Sequence, residues 1–475
     1  MQSKTFIKEQ YKTCAVLFMI HVVGILSILR ADFSYADDLG RILMGNRGWI
    51  KESRFLSQWL SVLLHTHTRI SDISPVPQLL AAFLLALAGT ILLYLFHGSR
   101  TLKPWLVAAV VPLGLNPYFL ECLSYKFDAP YMALSIVFSI LPFLFAEKKK
   151  KYTLLSIFSL LAMYMTYQAS SGIYPMLALL LFFQRCNRND ARKEAYRFLL
   201  LSIASYAAAT VLFRLLVPLS ASWYPTETIS VHSFLPDLAA NYKLLFHQLQ
   251  ADFNPIWKGV ILLILLGFLY KTQKETRQNH FLSFLETLLL LGLLFLTAYG
   301  IYIFLKEPLL APRALYGYCV LITLLCVYSA DRLASGFLLA WCFFIFSFTY
   351  GNALQAQKTF TERRLAVALS DLNQSHALSS SVKGLQIAGS IGKAVSIQNA
   401  QATYPILHRL VPDTIAEGWI WSEYILQNEI GQHTYTLHKD QLDLSSLSMQ
   451  DLPIVSDTTF ETIRANEAYI LITFH

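Results

Sequence analysis

Long apolar runs separated by short charged breaks dominate the first 350 positions of the chain. Such runs predict spans near residues 13–29, 77–96, 104–120, 130–146, 152–167, 171–184, 198–217, 256–270, 281–305, 314–330 and 335–350. A bilayer crossing takes about 20 mostly apolar residues, so the pattern amounts to about eleven transmembrane helices. The stretch 152–184 reads either as two short spans broken at Tyr167-Gln168-Ala169-Ser170-Ser171-Gly172 or as one re-entrant segment. After Gly351 the pattern changes. A polar helix over Gln355–Leu378, a strand-like stretch Val382–Ala388 and a last strand-like run Ala468–Phe474 predict a small α/β domain. The fold class is therefore an all-α polytopic membrane protein carrying a small soluble α/β C-terminal domain, divided as 1–350 and 351–475.

The breaks between spans alternate in charge. Lys4 to Lys12, Arg100 to Lys103, Lys148 to Lys151, Arg185 to Arg197, Lys271 to Arg277 and Arg332 are basic and read as cytoplasmic; the other loops are longer and mixed in sign. The N-terminus is then inside and the C-terminal domain outside. The first apolar run imitates a signal peptide, but it ends in Arg30-Ala31-Asp32 without a small-residue cleavage site and reads as a retained helix. Two outside loops are long. In 30–76, Phe55, Leu56, Trp59, Leu60, Leu63 and Leu64 recur at helical spacing opposite Arg54, Ser57, Gln58 and Ser61, which predicts an amphipathic helix on the membrane surface. The loop 218–258, with Pro218, Pro225, Pro236 and Pro255, has the aromatic and polar mix of a cap over a site.

Composition agrees with a membrane protein. The protein is 55% hydrophobic and only 14% charged, well short of the roughly one quarter usual for a soluble domain. Its net charge of +8 follows from the basic inside loops. The basic residues lie in short loops, not on one soluble face, which argues against nucleic-acid binding. The six cysteines include no Cys-x-x-Cys pair, and His65 and His67 point apart on a helix, so no metal site is expected.

Candidate chemistry gathers in the outside loops. Asp37 and Asp38 adjoin the first span. Crowded carboxylates there suit a general base that takes a proton from a sugar hydroxyl, with its neighbour shaping the pKa; a solvated loop or a helix cap are the plain alternatives. Lys126 and Asp128, with Glu121 nearby, fall on the same side, as a local ion pair or as part of the site. Tyr167 and Gln168 could hydrogen-bond and stack on a sugar, or simply end a helix. Arg313, Arg41 and Arg54 are forks for a lipid phosphate, Arg313 being equally readable as an interfacial snorkelling residue.

These residues, in this order, resemble the type-II Gtr glucosyltransferases that modify bacterial O-antigen. The likeness rests on Tyr35-Ala36-Asp37-Asp38 with Gly40-Arg41, Gly48-Trp49, Arg54, Tyr125-Lys126-Phe127-Asp128, Tyr167-Gln168 and Arg313, and it covers roughly residues 10–350. The resemblance implies a GT-C type membrane enzyme of the bacterial inner membrane. Its donor would be undecaprenyl-phosphate glucose, made by a separate transferase and turned outward by a flippase. Its acceptor would be a sugar of the lipopolysaccharide O-antigen repeat on the periplasmic face, giving serotype conversion. Either Asp37 or Asp38 would be the base, and no cofactor is implied. A lipid-linked glycan transporter, or another GT-C transferase of the O-antigen polymerase or aminoarabinose-transferase kind, are the competing readings; the missing repeat and the placing of charges at span ends weigh against the transporter.

Overall fold

The computed structural model describes residues 2–99, 102–187, 192–217, 227–277, 279–330, 335–375, 377, 384–419, 421–430 and 449–475. Arg100, Pro218, Pro225, Arg332, Leu378 and Val382, which figured in the sequence reading, lie outside the described residues.

Each predicted apolar run is helical. In sequence order the helices are α1 (Gln2–Ala31), α2 (Asp38–Met44), α3 (Phe55–His65), α4 (Val76–His97), α5 (Pro104–Val110), α6 (Pro112–Leu115), α7 (Pro117–Ser124), α8 (Ala129–Ile140), α9 (Lys149–Tyr164), α10 (Ile173–Asn187), α11 (Arg192–Leu216), α12 (Phe234–Asp252), α13 (Pro255–Glu275), α14 (His280–Ala298), α15 (Pro312–Ser329) and α16 (Ser335–Gln374). Seven of them (α1, α4, α11, α13, α14, α15 and α16) are individually long and apolar enough to cross a bilayer. An eighth crossing is made if the pair α5–α6 and α7, bent by 57°, counts as one. The bend falls at Asn116-Pro117, where proline cannot donate to the ladder and Asn116 Oδ1 caps α7 by accepting from Phe119 N at 2.9 Å. The runs at α8, α9 and α10 form shorter helices. Between α9 and α10 the break at Gln168–Gly172 is a single 3-10 turn.

Small residues let the first and last spans meet closely, as membrane helices require. Ser27 Oγ donates to Ser347 O at 3.0 Å, Ser347 Oγ donates to Gly24 O at 2.6 Å, and a side chain at Gly351 would strike Ser27. The ends of the bundle differ. At one end Arg185 meets Glu147, Lys149 meets Glu194 and the Lys271 ammonium bonds Tyr328 O, gathering the basic loops. At the other end lie α2, α3, α12 and the residues that follow α16.

Three stretches singled out in the sequence repay a closer look. The helix α3 forms where the spacing placed it, with its polar edge inward: Ser57 and Ser61 are fully buried, while Trp59 is 72% and Leu63 77% exposed. The polar edge is drawn in because Thr166 offers a carbonyl to Ser57 Oγ at 3.2 Å. The described part of 218–258 is mostly the helix α12, tied through Asn241 to the carbonyls of Ile303 and Leu305, and residues 218–226 of the expected cap lie outside the described residues. The polar helix expected from Gln355 is no separate element, because α16 runs unbroken for 40 residues through the change of composition. Nothing in that stretch breaks a helix: Leu365, Ala368 and Leu372 continue its buried stripe.

Beyond α16 lie β1 (Gly384–Gly389), α17 (Gln398–Thr403), α18 (Leu407–Leu410), α19 (Ser422–Ile430), β2 (Ile454–Asp457), β3 (Glu461–Ala465) and β4 (Tyr469–Phe474). The strands make one sheet in the order β1-β4-β3-β2, with β1 parallel to β4 and the other pairs antiparallel. Its inner face (Leu385, Ile387, Ile463, Ile470 and Ile472) packs on Leu365, Ala368 and Leu372 of α16. The intervening segment folds back onto the helical body: Tyr35 Oη donates to Leu410 O at 2.9 Å, and Arg409 bonds both Asp252 and Leu310 O.

Candidate functional site

A cavity of about 580 Å³ opens where the first outside loop, the α7–α8 turn, the α9–α10 break, the residues before α15 and the C-terminal segment converge. Asp37, Arg41, Arg54, Asp128, Tyr167, Gln168 and Arg313 line it, together with Gly40, Trp49, Tyr125, Tyr302 and Trp421.

The first outside loop separates the two neighbouring aspartates. Ala36 sits in the left-handed region at φ 45, which turns the backbone sharply into α2. Asp37 takes the N-cap position, yet its side chain makes no capping bond and stays exposed to the cavity. Asp38 points inward and is fully buried, accepting from Lys126 N at 2.9 Å and Tyr35 N at 3.1 Å. Burial pushes its carboxyl up to about 8, against the pull of those amides and of Arg41. Asp38 thus ties the first loop to the α7–α8 turn and does not reach the cavity surface. Lys126 also turns away: its ammonium meets Asp32 at 2.5 Å and Asp72 at 3.0 Å.

Asp128 is the hub of a charged cluster in the cavity lining. It meets Arg41 Nη1 at 2.8 Å and Arg54 Nη1 at 2.9 Å, and it accepts from Trp49 Nε1 at 2.6 Å. Burial opposes its charge, but the two guanidiniums and the indole N–H hold the carboxyl below the usual carboxylate range. Two guanidiniums on one carboxylate leave a surplus positive charge. Arg54 is fixed further by Nε donating to Thr166 O at 2.7 Å, while its Nη2 is buried with no hydrogen-bond partner among the described residues. Arg41 lies over the Trp49 ring at 4.1 Å. Arg313, at the start of α15, pairs with Glu121 at 2.8 Å. Tyr167 Oη donates to Arg313 O at 3.2 Å, and Gln168 Nε2 donates to Glu52 O at 3.1 Å.

The cavity lining thus combines a cluster holding one more guanidinium than carboxylate with the exposed Asp37 carboxylate. Among the described residues no three His, Cys, Asp or Glu side chains come together as a metal site. The sequence reading missed Trp49 as a partner of Asp128, although it quoted the residue, and missed Trp421 altogether. The available signal for Trp421 was the pairing of two tryptophans, Trp419 and Trp421, just after Gly418.

Comparison with known proteins gives two matches. The family model described as glucosyl transferase GtrII matches residues 26–324. A Salmonella phage P22 protein, described as an uncharacterized 55.3 kDa protein in the gtrB 5′ region, is 24% identical over 475 residues, covering 94% of this chain and 96% of the relative. No solved structure matches.

Proposed function

The chain belongs to the glucosyl transferase GtrII family, and from that premise we propose that it transfers glucose from undecaprenyl-phosphate glucose to a sugar of the O-antigen repeat. The reaction is a single displacement at the outer face of the bacterial inner membrane. The acceptor hydroxyl oxygen attacks the anomeric carbon of a β-linked donor, its proton passes to the Asp37 carboxylate, and the bond from that carbon to the phosphate oxygen breaks. The electron pair leaves with undecaprenyl phosphate, and the new linkage is α. The transition state resembles an oxocarbenium ion.

The observation that carries this reading is the pairing, in one cavity, of an open Asp37 with a guanidinium cluster of surplus charge. A base near the acceptor contributes typically 10²–10⁴-fold. Arg54, with Arg41 beside it, stabilises charge gathering on the departing phosphate. Asp38 is assigned a structural role, since it is buried and already bonded to two backbone amides. The basic loops gathered at the opposite end of the bundle support a cytoplasmic N-terminus and a periplasmic cavity and C-terminal domain. A donor-synthesising transferase and a flippase are the functional partners this topology calls for.

The test uses purified full-length protein, labelled undecaprenyl-phosphate glucose and O-antigen acceptor. Asp37→Asn is expected to lower transfer by about 10²–10⁴-fold with an unchanged unfolding midpoint; Asp38→Asn should retain most of the activity. Full activity in Asp37→Asn would remove the base assignment.

A further inference from the structure

Among the described residues, the C-terminal segment supplies one side chain to the cavity. Trp421 lines it beside Asp37 and Gly40, and its six-membered ring lies so close to Gly40 that a side chain at that position would overlap it. Gly40 is three residues along from Asp37, so the indole stands next to the open carboxylate. The loop bearing it is firmly held. Ser422 Oγ bonds Ala416 N at 3.0 Å and Ala416 O at 2.9 Å, Ile425 N donates to Trp421 O at 2.9 Å, and Glu417 N donates to Gly389 O at 2.7 Å. Gly418, at φ 76, makes the turn into it. Tyr424 lies 5.4 Å from the Trp421 ring, and Trp419 is half-buried in the same loop.

We propose that the Trp421 loop is the platform on which the acceptor glycan lies, so that the C-terminal domain completes the cavity by recognising the glycan; this rests on the glucosyltransferase reading above. A pyranose presents a face of C–H groups, which a flat aromatic ring contacts through dispersion and weak C–H interactions. A held aromatic loses little freedom on binding, and several aromatics in one loop match a ligand of repeated rings. The alternative occupant of such a surface, a prenyl tail, fits less well: no described residue from 396 to 426 is an exposed large hydrophobic. The guanidiniums suited to a lipid phosphate come instead from the helical body. The acceptor therefore reaches Asp37 from the aqueous side, over Trp421, while the donor reaches it from the bilayer.

The experiment measures binding without donor, by titrating the detergent-purified full-length protein with oligosaccharides of two O-antigen repeats from the source bacterium. Trp421→Ala is expected to weaken binding about tenfold and Trp421→Phe to restore most of it. Gly40→Ala, which forces the ring aside without altering it, should weaken binding similarly. In the transfer assay Trp421→Ala should raise the acceptor KM by a like factor and leave the undecaprenyl-phosphate glucose KM unchanged. Unchanged glycan affinity in Trp421→Ala, no binding by the wild-type protein, or an equal rise in the donor KM would each overturn the platform. If glycan binding depends on Trp421 but no glucose moves from this donor, the donor assignment fails and the platform stands.

Discussion

Two clusters of buried charge, one in the cavity wall and one in the C-terminal domain, use the same residue types in opposite proportion. In the cavity, Arg41 and Arg54 share one carboxylate, Asp128. In the C-terminal domain a single guanidinium, Arg364, lies 3.8 Å from Glu461 on β3, with the Asp371 carboxyl of α16 alongside. The outcomes diverge accordingly. Asp128 is held ionised below the ordinary range, whereas burial, reinforced by Asp371, pushes Glu461 up to about 7. A buried cluster with spare guanidinium charge is completed by an anion; one with spare carboxylate is completed by a proton. The first arrangement suits a phosphate-bearing donor, and the second suits a structural joint between helix and sheet.

Removing the hub should have the largest effect. Asp128→Ala leaves two buried guanidiniums without a counter-charge and is expected to cost about 3–5 kcal/mol of stability. Thermal unfolding of the detergent-solubilised protein checks this; an unchanged midpoint would mean that the cluster is not the joint described. Next comes Arg54→Lys, which keeps one positive charge but loses the fork. The donor KM should rise about tenfold or more with the fold intact, read from transfer kinetics. A wild-type donor KM would show that the surplus charge is not used.

The smallest effect concerns the other cluster. The ordinary glutamate value is 4.5 and the folded value about 7, so the folded state keeps a proton that the unfolded protein releases between them. The contribution to stability is full below about 4.5, falls as pH rises through that window, and is gone above about 7. Glu461→Gln should flatten the dependence of the unfolding midpoint on pH over this range while leaving glucose transfer at neutral pH intact. A slope equal to that of wild type would assign the titration elsewhere.

Much of this was legible in the sequence because hydrophobic periodicity is a local signal. The runs that became α1, α4 and α13 to α16 are long and apolar, whereas the span expected over 104–120 is bent at Asn116-Pro117. The convergence of Asp37, Asp128 and Arg313 was also within reach, since alternation of spans puts their loops on one side. Which aspartate faces the cavity was not. Asp37 and Asp38 are chemically equal until the left-handed Ala36 turns one out and the amides of Tyr35 and Lys126 capture the other. Lys126 looked like a partner of Asp128 from spacing alone, yet Asp32 and Asp72 draw it away. The inward polar edge of α3 depended on a carbonyl supplied from more than 100 residues away, and no periodicity argument carries that information.

A rod of 40 residues, about 60 Å long, leads into the domain that gives Trp421 to the cavity. It runs without a break from the helical body into that domain, whose sheet packs on Leu365, Ala368 and Leu372. On the acceptor reading proposed above, one continuous helix then ties the membrane spans to the sheet of the domain that meets the glycan.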